Sequence, residues 1–390
     1  MSNVPPIESV VATLVAEHPL FDAHVDALQR QLDLGHDLGV AGPGQFDLER
    51  GRRAGLGAVV LVCWCDPGYI RPERGGAFAR TVALLEQAHV LARRHPARVL
   101  LAGNGADVER AHAGGRVAAI PGIEGGHSIE DSLDKLDWFF ERGVRVMTLV
   151  WNNHLAWIRS CQDGAGPGIP EGLSEFGRGV VARMNELGML VDLSHAGERS
   201  FYDTLDCSAH PVMASHSGCK ALHDHPRNLN DAQLRALAAR DGVVGIVFHP
   251  GFLDAAAREE EARVRASDAY KALGGGDDTL TFTRQSELMQ RTASPLPLAR
   301  LLDHVCHAAA VAGVAHVGIG SDYDGILRGP QGLEHAGCYD RLVDGLLGRG
   351  FGHDEVRAIL GGNMRRAFAA ATGAGTRAGA GAELIPLVAS

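Results

Sequence analysis

The sequence predicts a (β/α)8 barrel of the TIM type, built as a single domain with a long insertion after the seventh strand. Two observations predict it: eight short apolar runs recur along the 390 residues, and helical patterns separate them. Near-continuous Val, Ile and Leu content marks parallel strands whose two faces are both covered. Strand then helix, about eight times over, closes into a barrel.

The first run, LFDAHVD (20–26), is apolar until His24 and Asp26, which share one face because strand side chains alternate. AVVLVCW (58–64) follows, with Cys63 and Cys65 read as small core residues. VAAIPGIE (117–124) ends on Glu124, and RVMTLVW (145–151) ends on Trp151. Next comes a helix, SEFGRGVVARMNELGM, with Ser174 as N-cap and Gly188 as stop. Its Phe176, Val180, Met184 and Leu187 recur at three-to-four spacing. MLVDLSH (189–195) ends on His195, PVMASH (211–216) on His216 and GVVGIVFH (242–249) on His249. Residues 254–292 are the insertion, charged and glycine-containing, and such loops on a barrel's C-terminal face often shape the active site. SPLPLARLLDHVCHAAAVAG (294–313) is a helix with Leu298, Leu301, Leu302, Val305 and Ala309 on one stripe. HVGIGSD (316–322) closes the series on Asp322. The barrel core is expected over about 18–372, with a loosely ordered Ala/Gly-rich tail at about 372–390.

Composition narrows the function classes. A net charge of −10 with no basic run argues against nucleic acid as a partner. No apolar run approaches the roughly 18 residues that span a bilayer. The opening MSNVPPIESVVATL lacks a secretory pattern, and AELIPLVAS is too short for an anchor signal. Seven cysteines without a CxxC pair read as scattered thiols, and the expected location is the cytoplasm.

The polar run ends carry the chemistry. A single histidine at a strand end is more often a hydrogen-bonded structural residue than a ligand, and Glu124 or Asp322 alone could cap a helix or turn. On a barrel, however, C-terminal strand ends converge on one mouth. His24, Asp26, Glu124, His195, His216 and Asp322 would then meet there, and buried imidazoles and carboxylates need a cation or hydrogen bonds to compensate them. Three histidines and two carboxylates suit two borderline-soft divalent ions, zinc first, sharing one carboxylate. Some barrel hydrolases bridge with a carboxylated lysine instead. Lys135, Lys220 and Lys271 are the only lysines and none ends a strand, so Glu124 is the candidate bridge.

The stretches DAHVDAL, GIEGGHSIEDS, GRGVVARMNELGMLVDLSH, PVMASHS with RNLND, GIGSDYDGI and LGGNMRRAF resemble the membrane (renal) dipeptidase family of binuclear zinc peptidases. They follow that family's order from about residue 20 to 370, as in a soluble bacterial-type member. The resemblance implies two Zn2+ per chain, His24 and Asp26 on one, His195 and His216 on the other, bridged by Glu124 and a water or hydroxide. It implies Asp322 as the acid–base residue, Arg227 as the holder of the substrate's free carboxylate, and a homodimer. Without the family, Arg227 in HDHPRNLND reads as a surface arginine. Asp324, two after Asp322, reads as a turn residue or as one that supports the ligand-bearing residues from behind. Two positions depart from the pattern. Trp151 stands where mammalian-type enzymes carry a substrate-contacting histidine, with His154 as a possible replacement, and His249 stands where many relatives have tyrosine.

The expected activity is hydrolysis of small dipeptides, with a D-residue tolerated at the C-terminal position. A rival keeps the metals but changes the bond to another small amide or a lactone. A third reading is a catalytically silent metal-binding protein, which would bind ligand without turnover.

Overall fold

The structure, a computed structural model, describes Leu14 and residues 19–374 apart from 275–277. The tail beyond 374 lies outside the described residues. Nine parallel strands form one sheet: β1 (Leu20–Val25), β2 (Leu56–Trp64), β3 (Val99–Leu101), β4 (Val117–Glu124), β5 (Val146–Thr148), β6 (Leu190–Asp192), β7 (Met213–Ser217), β8 (Val243–Ile246) and β9 (Val317–Ile319). Their order is β2-β1-β9-β8-β7-β6-β5-β4-β3, and β2 also pairs with β4 from Ala58↔Ala118 to Trp64↔Glu124. That pairing closes eight strands into a barrel, as the apolar runs predict. β3 is an extra: it pairs with residues 117–119 of β4, below the point where β5 joins at Gly122. The apolar runs read from the sequence do not include Val99–Leu101, so no strand is expected there.

The helix ends follow their chemistry. Ser174 accepts from the Gly177 amide to start Glu175–Leu187, and Gly188 ends it in the left-handed region at φ 78°. The helix Leu298–Ala312 buries Leu301, Leu302 and Val305 against the barrel. The insertion is helical, Ala255–Ala266, Asp268–Lys271 and Thr279–Thr292.

Most strands stop before the predicted run ends, and the polar residues fall in the last residues of a strand or just past its stop. Glu124 is the last residue of β4, whereas His195, His249 and Asp322 lie three residues beyond β6, β8 and β9. The lower end is apolar. There Phe21, Val60, Ile120, Val146 and Leu190 cluster with Met364 and Phe368 from the C-terminal helix Asn363–Ala374. Cys63 and Cys65 are fully buried, as read from the sequence.

Candidate metal centre

The site begins where β1 and β9 are tied together. Asp322 donates its amide to the His24 carbonyl, and Asp26 donates to the Tyr323 carbonyl, both at 2.9 Å. Asp22, fully buried below them, accepts from the His24 and Ser321 amides and from the Tyr339 hydroxyl. This carboxylate therefore fixes the backbone that carries His24. His195 and Asp322 sit at φ 67° and 62°, left-handed geometry that histidine and aspartate tolerate better than most residues. Gly325 leaves room for the acids: a Cβ there would fall 2.2 Å from Asp26 Oδ2 and 2.4 Å from Asp322 Oδ1.

Glu124 is the centre of the cluster. His195 Nε2 lies 2.9 Å and His216 Nε2 3.3 Å from its Oε1, and His24 Nε2 lies 3.5 Å from its Oε2. Asp26 Oδ2 is 3.5 Å from the same His24 nitrogen. Two groups with donor atoms within 4.8 Å of one another result, Glu124–His195–His216 and His24–Asp26–Asp322. None of the five candidate ligands is more than 7% exposed.

The electrostatics ask for a cation. Burial, with Arg227 nearby, pushes His195 down to about 4, and burial holds His216 well below its ordinary value. Two neutral imidazoles thus face each other, Nε2 to Nε2, at 3.1 Å. Burial would raise Glu124, but His24, His195 and His216 hold it well below the usual carboxylate range. Burial would lower His24, yet Glu124 and Asp26 raise it well above. Burial and the neighbouring Asp26 raise Asp322 well above its ordinary value. His24 Nε2, Asp26 Oδ1 and Glu124 Oε1 are buried without a hydrogen-bond partner. Orphaned nitrogen and oxygen donors around one point fit a divalent ion, zinc before the harder metals.

A cavity of about 590 Å³ opens over the cluster. Trp64, Trp151 and Asn152 line one side, Arg227, His249 and Phe252 another, and the insertion helix Thr279–Thr292 a third. Arg227 is 3% exposed, donates Nη2 to the His216 carbonyl at 3.0 Å and lies over Phe252. Its Nε has no partner, and no carboxylate among the described residues pairs with it. The surface arginine that its local sequence suggests is thus a buried one. Trp151 packs edge-on against Trp64, centroids 5.2 Å apart, and both flank Glu124 and His195.

His249 caps the helix Pro250–Leu253, accepting from Gly251, and stacks on Phe252 at 4.1 Å while facing the cavity. His154 does not line the cavity; its Nδ1 accepts from the Ser160 amide. Asp324 pairs with Arg30 at 2.6 Å and accepts from the Gln45 and Phe46 amides, which holds residues 45–46 at the rim. Trp64 and Asn152 are cavity residues that the sequence alone did not single out. Trp64's pairing opposite Glu124 is a register fact, invisible before β2 and β4 are aligned. A second cavity of about 670 Å³ shares only His195 and Arg227 with the first and holds none of the other candidate ligands.

The sequence model of a family described as membrane dipeptidase (peptidase family M19) matches residues 9–379. Dipeptidase aclJ of Aspergillus oryzae is 31% identical over 332 residues, covering 83% of this chain and 69% of that one. The probable dipeptidase PvdM of Pseudomonas aeruginosa shares the fold, with a TM-score of 0.80 at 23% identity over 95% of this chain and all of that one. A metallopeptidase of Rhodobacter sphaeroides, solved with a phosphinate mimic of the dipeptide L-Ala-D-Ala, gives 0.74 at 25% identity over 90% and 99%. No helix among the described residues is long and apolar enough to cross a membrane.

Proposed function

The chain belongs to the membrane dipeptidase family, and on that premise we propose that it is a zinc-dependent dipeptidase. Membership makes it a hydrolase acting on peptide bonds and implies a metal cofactor. In this reading His24 and Asp26 hold one zinc ion, His195 and His216 the other, and Glu124 joins them. Bound there, two ions would polarise the scissile carbonyl and acidify a water near neutral pH.

The remaining work falls to the chain's own side chains. Arg227 holds the substrate's free carboxylate, which sets the register and favours dipeptides over longer chains. The observation that carries this reading is its buried guanidinium, with Nε unpartnered and no ion pair to a carboxylate among the described residues. A buried cation without a carboxylate partner is costly, and an anionic substrate removes the cost. Asp322, grouped with Asp26 and His24, takes the proton lost as the water oxygen bonds the carbonyl carbon. It returns that proton to the amide nitrogen as the C–N bond breaks, so the amine leaves neutral. Trp151 and His249 bound the space for the substrate's side chains. A D-residue at the C-terminal position is part of the proposal, supported by the Rhodobacter relative's ligand.

The test is a panel of L–L and L–D dipeptides with zinc-loaded enzyme and Asp322→Asn in parallel. Turnover that disappears in the variant supports the reading. Two metals per chain with no dipeptide turned over would overturn it. That result would favour the second reading, a different small amide or lactone, to which the Trp64–Trp151 wall is the pointer. We also propose a cytoplasmic homodimer, from the cysteine usage and the family resemblance; light scattering checks the second point.

A further inference from the structure

Each imidazole that turns Nε2 toward Glu124 has an oxygen against its Nδ1. His195 Nδ1 lies 3.0 Å from Asn152 Oδ1. His216 Nδ1 lies 2.7 Å and His24 Nδ1 3.3 Å from one hydroxyl, Ser215 Oγ. We infer that Ser215, oriented by Asp192, is a positioning residue that holds His216, and more loosely His24, in the Nδ1–H tautomer so that Nε2 is left bare for a cation. The inference rests on the reading of these histidines as metal ligands.

Proton counting fixes the direction. Asp192, the last residue of β6, is fully buried and surrounded by four donors. Its Oδ1 accepts from the Ser194 amide at 3.0 Å and the Ser215 amide at 2.8 Å, and backbone N–H groups can only donate. Its Oδ2 meets the Thr148 hydroxyl and, at 2.6 Å, the Ser215 hydroxyl. Ser215 owns one hydroxyl hydrogen, and the carboxylate takes it. Its lone pairs must then receive. His216 fills one at 2.7 Å, so its Nδ1 carries the hydrogen. The other is shared between His24 at 3.3 Å and the Ser194 hydroxyl at 3.2 Å. The opposite assignment, Ser215 donating to His216, would leave two acceptors facing each other 2.6 Å apart.

The strand packing supports the same placement. The Ser215 carbonyl fits only because residues 245 and 320 are glycine: Cβ atoms there would fall 2.0 and 1.8 Å from it. His24, Asp192 and His216 also form a group with donor atoms within 4.8 Å, which would suit a further ion with Asp192 as ligand. The four donors on Asp192 oppose that alternative, since both oxygens are already engaged.

The test uses the full chain. Zinc affinity and stoichiometry are measured by chelator competition on wild type, Ser215→Ala, Asp192→Asn and Ser215→Thr, and histidine tautomers by 15N–1H NMR. In Asp192→Asn the amide nitrogen can donate to Ser215, freeing the serine hydrogen for His216 Nδ1 and favouring the wrong tautomer. Both loss variants should bind zinc about 10–100-fold more weakly. They should still reach wild-type stoichiometry at saturation, with His216 moving toward Nε2–H in the zinc-free protein. Ser215→Thr, which keeps the hydroxyl, should recover most of the affinity. Unchanged affinity in both loss variants would overturn the inference, as would a whole ion lost from saturated Asp192→Asn. If Asp192→Asn does not fold, Ser215→Ala decides. Wild type that binds no divalent ion refutes the metal reading instead. The wild-type spectrum then still tests this inference: Nδ1–H on His216 supports it, and Nε2–H overturns it.

Discussion

At the lower end of the barrel, Phe21 meets Phe368 at 6.3 Å among aliphatic side chains from β2, β4, β5 and β6. At the upper end, within the same strands or just beyond them, imidazoles and carboxylates crowd around Glu124 with buried polar atoms left unpaired. One end gains free energy from burial at roughly 25 cal/mol per Å² of apolar surface. The other spends stability on buried charge. A change at the lower end should therefore cost folding and spare the activity of folded molecules, and a change at the upper end should do the reverse.

Glu124→Gln is the largest expected break. It removes the negative charge that His24, His195 and His216 share, and with it the joint between the two proposed ion sites. Turnover should fall by about three orders of magnitude, several kcal/mol of barrier, with metal content reduced by elemental analysis. A variant that keeps wild-type turnover and metal content would deny Glu124 the role of joint between the two sites, and the contrast between the ends would fail.

Phe368→Ala probes the other end. Its ring is fully buried, and truncation should cost about 3–5 kcal/mol from lost transfer free energy and the cavity left behind. Urea unfolding measures that cost. Specific activity per folded molecule, measured well below the new midpoint, should stay within about twofold. A larger loss would show that the lower plug also sets the geometry of the strand ends.

The sequence made the two ends unequally legible. Apolar runs and helix caps such as Ser174 and Gly188 are local signals, and they located the eight barrel strands and the helix between them. The gathering of the candidate ligands was also legible, because strand ends converge on a barrel whatever the loops do. The cavity wall was legible only in part: the family resemblance named Arg227, Trp151 and His249, which all line it, but the residues alone did not place them there. Arg227 lies in a stretch that reads as surface, and only the fold puts Phe252 beneath it and the His216 carbonyl beside it. Trp64 reads as the end of a core strand until β2 and β4 are in register, and His154 looks available for the site until Ser160 is seen to engage it.

Arg227→Met tests the wall where it bears on the carboxylate. Methionine keeps much of the apolar stem and removes the charge, so kcat/KM for a free dipeptide should drop by about 2–4 kcal/mol, the usual loss for one member of a desolvated charge pair. The same dipeptide with an amidated C-terminus should react equally slowly with both proteins. A variant that slows both substrates alike would assign Arg227 to the cluster's structure rather than to recognition. Trp151→Ala should do less. It opens one side of the edge-on pair with Trp64 and should alter relative kcat/KM among side chains by about tenfold, near 1.4 kcal/mol. Equal losses across the panel would deny the wall a role in selection.

The smallest expected effect lies where the insertion meets the barrel. Asp33 accepts from Arg80 at 2.6 Å and from the Thr279 hydroxyl, which anchors the first residue of the helix Thr279–Thr292. Burial tends to raise the Asp33 carboxyl, but the Arg80 and Thr279 hydrogen bonds outweigh it and leave the group below its ordinary value. A depressed carboxyl stabilises the folded state above its unfolded pKa, and that contribution fades as pH falls through the folded value. The anchor should therefore be intact at neutral pH and weaken only below about pH 4, where an unperturbed aspartate begins to protonate. Thr279→Val removes one hydrogen bond of about 0.5–1.5 kcal/mol. At neutral pH it should raise KM severalfold with kcat unchanged, because the helix bounds the cavity and supplies none of the candidate ligands. Hydrogen exchange read along 279–292 should quicken in the variant and converge with wild type in acid. If exchange quickens while KM holds, the insertion is a passive wall; if kcat falls instead, it reaches further into the chemistry than the cavity lining indicates.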